Sequence, residues 1–212
     1  MFFLTEIDPN AKTKGSRDPL GTLGVWTGVA RRVVGNLTSQ TTSLDDFRVL
    51  VIGCWLEDHL AGQVEFEGDA FLVWEELTAY ARLEMVPDAT GFRGINRAKK
   101  FLAGDQLEVS SDRANQLLTN QRAYGIWGLY RAAAWRCGLL NSDMPLVRDG
   151  TLHLVEQVYV PLLAQAWGPG ARDLLAWARD GHELRVGRDR AKLEAIASCI
   201  SGPMREQEVE LY

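Results

Sequence analysis

The side chains able to do chemistry are few, and they are scattered. Lys14 and Arg17 stand in the glycine-containing loop KGSRDPLG, where two cations beside a tight turn could hold an anion. The leading reading of the same letters is a plain type I turn at Asp18-Pro19-Leu20-Gly21, with Pro second and Gly fourth. Lys14, Arg17, Asp18 and, farther on, Asn36 are therefore candidates for binding a ligand or partner. The three histidines, His59, His153 and His182, lie at no metal-ligand spacing from Cys, Asp or Glu, so each reads as a surface or capped residue and no metal or cofactor is expected. Cys54, Cys137 and Cys199 are odd in number, far apart and set among apolar residues, which suits three reduced, inert thiols. A Cys137–His153 nucleophile and base would need a geometry that their separation does not set. Glu57, Asp58, Glu75 and Glu76 could pair across helices, although a solvated helix face explains them more simply. There is no GxxxxGK[ST] and no GxGxxG, hence no nucleotide signature. Catalysis has no positive support, and an enzyme with a site around Arg17 and Asp18 stays open only as a third reading.

The stronger constellation is electrostatic. Gly91 to Arg136 holds Arg93, Arg97, Lys99, Lys100, Arg113, Arg122, Arg131 and Arg136 against Asp105, Glu108 and Asp112, while the whole chain carries −5. Positive charge is thus concentrated in the middle of an acidic protein. The stretch Asn120 to Leu140 lies inside it and packs Tyr124, Trp127, Tyr130 and Trp135 into one expected helix, apolar on two faces and so read as a core element. Upstream are expected helices over Gly94–Ala103 and Ser111–Thr119, and a hairpin-sized excursion follows over Asn141–Gly150. Three helices, a short turn before the third and then a wing-like segment outline a winged helix-turn-helix. In that reading Gln121, Arg122 and Arg131 present to nucleic acid, and Arg93, Arg97, Lys99 and Lys100 meet phosphates. The third helix is unusually apolar for groove entry, and winged helices also dock proteins, so a protein adaptor without nucleic acid stands beside the DNA reading.

The elements that must position these residues are mostly helical. A helix is expected over Val25–Val34, ended by Gly35-Asn36. Ser43 and Asp46 form an approximate capping box ahead of the apolar run VLVIGCWL, with a strand over Arg48–Leu56 as the competing assignment. Asp69 suits the N-cap of a helix that must stop before Pro87. Thr151 caps a further helix that Pro161 should kink. Asp173–Arg179 is closed by Gly181, Arg190–Ile200 is stopped by Gly202-Pro203, and the acidic tail MREQEVELY reads as frayed.

With 212 residues, 46% apolar and 24% charged, the chain has the composition of a globular protein of one or two units. No run reaches the roughly 18 apolar residues of a membrane span. The start, MFFLTEIDPNAK, lacks a charged leader, so cytoplasmic residence without membrane contact is expected. The fold class expected is mainly α: a helical N-terminal part over 1–90 packed on a winged-helix-like part over 91–212, with at most a small β-hairpin. SRDPLG (Ser16–Gly21), VVGNLT (Val33–Thr38) and NQRAYGIWGLYRAAAWRCGLL resemble segments of uncharacterised bacterial proteins associated with multi-gene anti-phage defence clusters. That resemblance covers about a quarter of the chain and implies a partner-dependent bacterial protein, with other protein subunits and DNA as the partners to test. The function expected is that of a non-enzymatic accessory subunit.

Overall fold

A computed structural model describes residues 22–33, 41, 43–61, 68–104, 107–209 and 211. The fold is mainly α, with 67% helix and a single two-stranded sheet among the described residues. Two compact units divide at Gly35 and Asn36. The described part of the first is helix α1 (Thr22–Val33), on which Val25, Trp26 and Val29 are exposed.

In the second unit, α2 (Leu44–Leu60) is the hub. Its run from Arg48 to Leu56 is buried on every side, because nine successive residues offer no polar stripe except Arg48 itself. The strand alternative for this run is not what forms. Helix α3 (Ala70–Met85) crosses α2 so closely that a Cβ on Gly53 would sit 2.5 Å from the Phe71 ring. The Trp74 indole then donates to the Val49 carbonyl at 2.8 Å, a tie available only at such short range. Asp69 caps α3 as expected, accepting from the Leu72 amide at 3.1 Å, and the helix stops at Met85 ahead of Pro87.

Around this pair lie α4 (Ile95–Leu102), α5 (Gln121–Tyr124), α6 (Ile126–Arg136) and a long broken helix. That helix runs as α7 (Asp149–Leu154), a π turn at Val155–Tyr159 and α8 (Val160–Trp167). The Val160 amide reaches back to Val155, and this widened turn accommodates Pro161, which has no amide to give. The helix begins at Asp149, so Thr151 is inside it and buried, and does not cap it. Helices α9 (Arg172–Asp180) and α10 (Val186–Ile200) close the core, α10 against both α3 and α8.

Three local expectations are corrected. No helix forms over 111–119: Ser110 Oγ accepts from the Asp112 amide and the Asn115 side chain, and Gln121 Oε1 takes the Leu117 amide. Side chains thereby claim donors that a helix would need. The sheet pairs β1 (Leu107–Val109) with β2 (His182–Leu184), Leu107 opposite Leu184, and does not lie in 141–150. There the only ladder is the bridge Leu140–Val147, because the Leu146 and Val147 amides donate to the two oxygens of Asp58 at 2.6 and 2.8 Å. The acidic tail is not frayed: α11 (Glu206–Val209) inserts Glu208 into the core.

The Glu208 carboxylate receives Arg48 through Nε at 2.9 Å and Nη2 at 2.7 Å, together with Arg205 and the Tyr159 hydroxyl. Arg48 spends its remaining donors on the carbonyls of Gly202 and Pro203, both at 2.9 Å, and on the Asp45 carboxylate at 3.1 Å. Burial alone would raise the Glu208 pKa, but these bonds outweigh it and hold the carboxyl down at about 2. Glu208→Ala leaves the buried guanidinium with only the partly exposed Asp45, 3.1 Å away, as counter-charge and should lower the unfolding free energy by about 3 kcal/mol in urea titration. Removal of the more exposed Arg205 should cost less than half of that.

Candidate functional site

The expected helix Asn120–Leu140 breaks at Gly125, whose ψ of −166° is extended backbone. The cause lies in α3. Glu75 Oε1 accepts the Ile126 amide at 2.6 Å and Oε2 accepts the Gln121 side chain at 3.0 Å, so a carboxyl from another helix starts α6. A Cβ on residue 125 would lie 2.5 Å from that carboxyl and from the Gln121 carbonyl, which only glycine avoids.

Restarting the helix turns one face of α6 outward. Trp127, Arg131 and Trp135 follow at i, i+4 and i+8, rising about 6 Å per step. Trp135 is 52% exposed, whereas Trp55, Trp74, Trp167 and Trp177 are buried. The Arg122 guanidinium lies over the Trp127 ring at 3.5 Å from its centroid, and Arg131 lies at 5.1 Å. Phe71 meets the same indole edge-on at 5.2 Å. With Ala123, Gly128 and Ala132 as a low floor and Asn120, Asn141 and Ser142 opposite, the face becomes an open, mainly apolar groove of about 610 Å³.

Behind the groove, Arg122 is 3.4 Å from Glu57 and 3.1 Å from Asp69. Glu57 also accepts the Phe71 amide. Burial, and after it the neighbouring Asp69 carboxyl, pushes Glu57 up to about 7 against the pull of Arg122. Burial pushes Glu75 to about 7 as well, opposed by its bonds from Ile126 and Gln121. Glu76 is fully enclosed, neither oxygen meets a hydrogen-bond partner, and its pKa rises well above the ordinary range through burial and through Glu75. The expectation of a solvated carboxylate face is thus overturned: Glu57, Asp58 and Glu75 fasten loops and helix starts, and Glu76 is buried.

The residues proposed from sequence separate in space. Arg122 and Arg131 come together on Trp127, and Gln121 is buried beneath them. Arg93 lines a cavity of about 100 Å³ with Asp46, Glu75 and Arg82. Arg97 donates to the Ala114 carbonyl at 2.6 Å and stacks on Phe101. Lys99 and Lys100 are exposed on α4. Lys14, Arg17, Asp18 and Asn36 lie outside the described residues. Sequence reasoning missed Trp135 as a surface residue, although its spacing from Trp127 and Arg131 was legible; the missing fact was the helix break. Burial raises the Cys54 thiol and pushes Cys199 up to about 12, which keeps both as unreactive thiols. Among the described residues no group of three or more His, Cys, Asp or Glu could hold a metal ion. The arrangement joins an apolar groove to the guanidinium groups of Arg122 and Arg131.

The buried carboxyls set a pH dependence. A folded pKa above the unfolded one, here near 4.5, gives stability that is fully present below 4.5 and lost as pH climbs towards the folded value. Glu75 alone should therefore cost about 3 kcal/mol between pH 4.5 and 7.5, while Glu208, held low, stabilises only above its folded value and is lost on acidification. Denaturation midpoints should peak near pH 5, and Glu76→Met should raise stability at pH 8 while flattening the alkaline decline.

No protein-family model, no curated protein and no solved structure matches this chain. Function has to be argued from the groove.

Proposed function

We propose that the chain is a non-enzymatic docking subunit of a larger bacterial assembly, and that it holds a partner protein in the groove between Trp127 and Trp135. The observation that carries this is the half-exposed Trp135 at the end of an aromatic and arginine ladder beside an open apolar groove, in a unit that buries four other tryptophans. Aromatic and arginine side chains around such a concavity are the usual anchors of protein interfaces. The resemblance of SRDPLG, VVGNLT and the Trp127 segment to proteins of anti-phage defence clusters supports a partner-dependent bacterial setting.

Duplex DNA is the second reading, favoured by the exposed Lys99 and Lys100 on α4. It loses support at Arg122, whose charge Glu57 and Asp69 offset, and at Gln121, which is buried.

Affinity capture of the tagged chain from its native host, with and without nuclease, separates the readings. A partner that survives nuclease and falls at least tenfold in recovery with Trp135→Ala is the expected result, with thermal stability changed by less than about 0.5 kcal/mol. Recovery that depends on nucleic acid and is lost with Lys99→Glu plus Lys100→Glu would replace it by the DNA reading.

A further inference from the structure

The occupant's chemistry can be read one step further, on the basis of the docking reading above. The groove follows α6, whose eleven residues span about 16 Å, a length that an extended chain covers with about five residues. Its floor, Ala123, Gly128 and Ala132, leaves room beside the two indoles for an inserted apolar side chain. Arg131 stands between those indoles. Its Nη2 donates to the Ser142 carbonyl at 2.6 Å, its Nε is enclosed without a partner, and among the described residues no carboxylate forms an ion pair with the guanidinium. On the same loop Arg148 reaches Asn141 at 3.3 Å, which adds a second cation at the rim.

We infer that the groove accepts an extended segment of another protein in which a carboxylate side chain lies next to an aromatic or branched apolar one. The apolar side chain fills the space between Trp127 and Trp135, and the carboxylate pairs with the Arg131 guanidinium where it lines the groove, in a charge-assisted bond. A single-stranded nucleic acid would bring a phosphate at every step towards Glu57 and Asp69, and the chain as a whole is net negative, so the peptide is the better electrostatic fit.

The same geometry ties binding to a proton. Arg122 shares the Trp127 ring with Arg131, and its charge is held from behind by Glu57 on α2 and by Asp69 at the start of α3. The other acid beside Glu57, Asp58, is turned away to the Leu146 and Val147 amides. An arriving carboxylate adds a third anion around Arg122 and so favours the protonated form of Glu57. Binding then takes up a proton, and affinity should fall as pH rises through 7.

Fluorescence anisotropy with the full chain tests this. The probe is a labelled peptide of about eight residues that alternates Asp and Leu around a central Trp. The controls are the same peptide with Asn for Asp and a labelled oligothymidylate. The acidic peptide should bind at least tenfold more tightly than its amide form, lose about tenfold with Arg131→Gln, and weaken about three- to tenfold from pH 6 to pH 8. Glu57→Gln should abolish that pH slope while binding persists. Equal affinity for the acidic and amide peptides overturns the carboxylate inference and leaves the docking reading intact, since that reading stands or falls on Trp135→Ala in the capture experiment. Tighter binding of the oligothymidylate, or no binding of the acidic peptide, also overturns it.

Discussion

Everything presented on the outer face of α6 depends on one carboxyl group buried in α3. Glu75 meets the first amide of α6 and the side chain of Gln121, and in doing so it ends α5 and begins a new helix one residue later. Within α6, Tyr130 and Ala134 stay inside while Trp135 emerges, and Tyr124, on the other side of the break, is exposed. The groove is the outward side of an internal constraint.

Buried acids serve the same purpose elsewhere. Asp58 seizes two consecutive amides of the 140s loop, Glu57 and Asp69 orient Arg122, and Glu208 neutralises Arg48. In each case a backbone or side-chain donor that a strand or solvent would have satisfied is met by a carboxylate from a distant part of the chain. Such contacts are strong in a low-dielectric interior because neither partner has an alternative there. Their drawback is desolvation, visible in the carboxyls whose pKa values rise and most plainly in Glu76, which has neighbours but no hydrogen-bond partner.

What could be read in the sequence follows the range of the interactions. Asp69 as a cap, Pro87 as a stop and Gly181 as a terminator act within a few residues, and each stands where the local pattern puts it. The hairpin over Asn141–Gly150 was misjudged because its amides answer to Asp58, 88 positions away. The tail was misjudged because Glu208 answers to Arg48 at a separation of 160. For the groove the components were visible: Trp127, Arg131 and Trp135 at helical spacing, with Arg122 just upstream. Their exposure was not, since it rests on Glu75 reaching Gly125 and Ile126 across the core.

The clasp between Arg48 and Glu208 also bears on how the unit is made. A nascent chain that has released α2 from the ribosome, but not yet residue 208, carries a guanidinium whose place is in the interior and whose buried counter-charge has not been synthesised, leaving only the partly exposed Asp45 to pair with it. Until then the hub helix cannot settle into its final surroundings without burying an ion short of its enclosed partner, so completion of the core waits on α11. Folding during synthesis is thereby made late and collective.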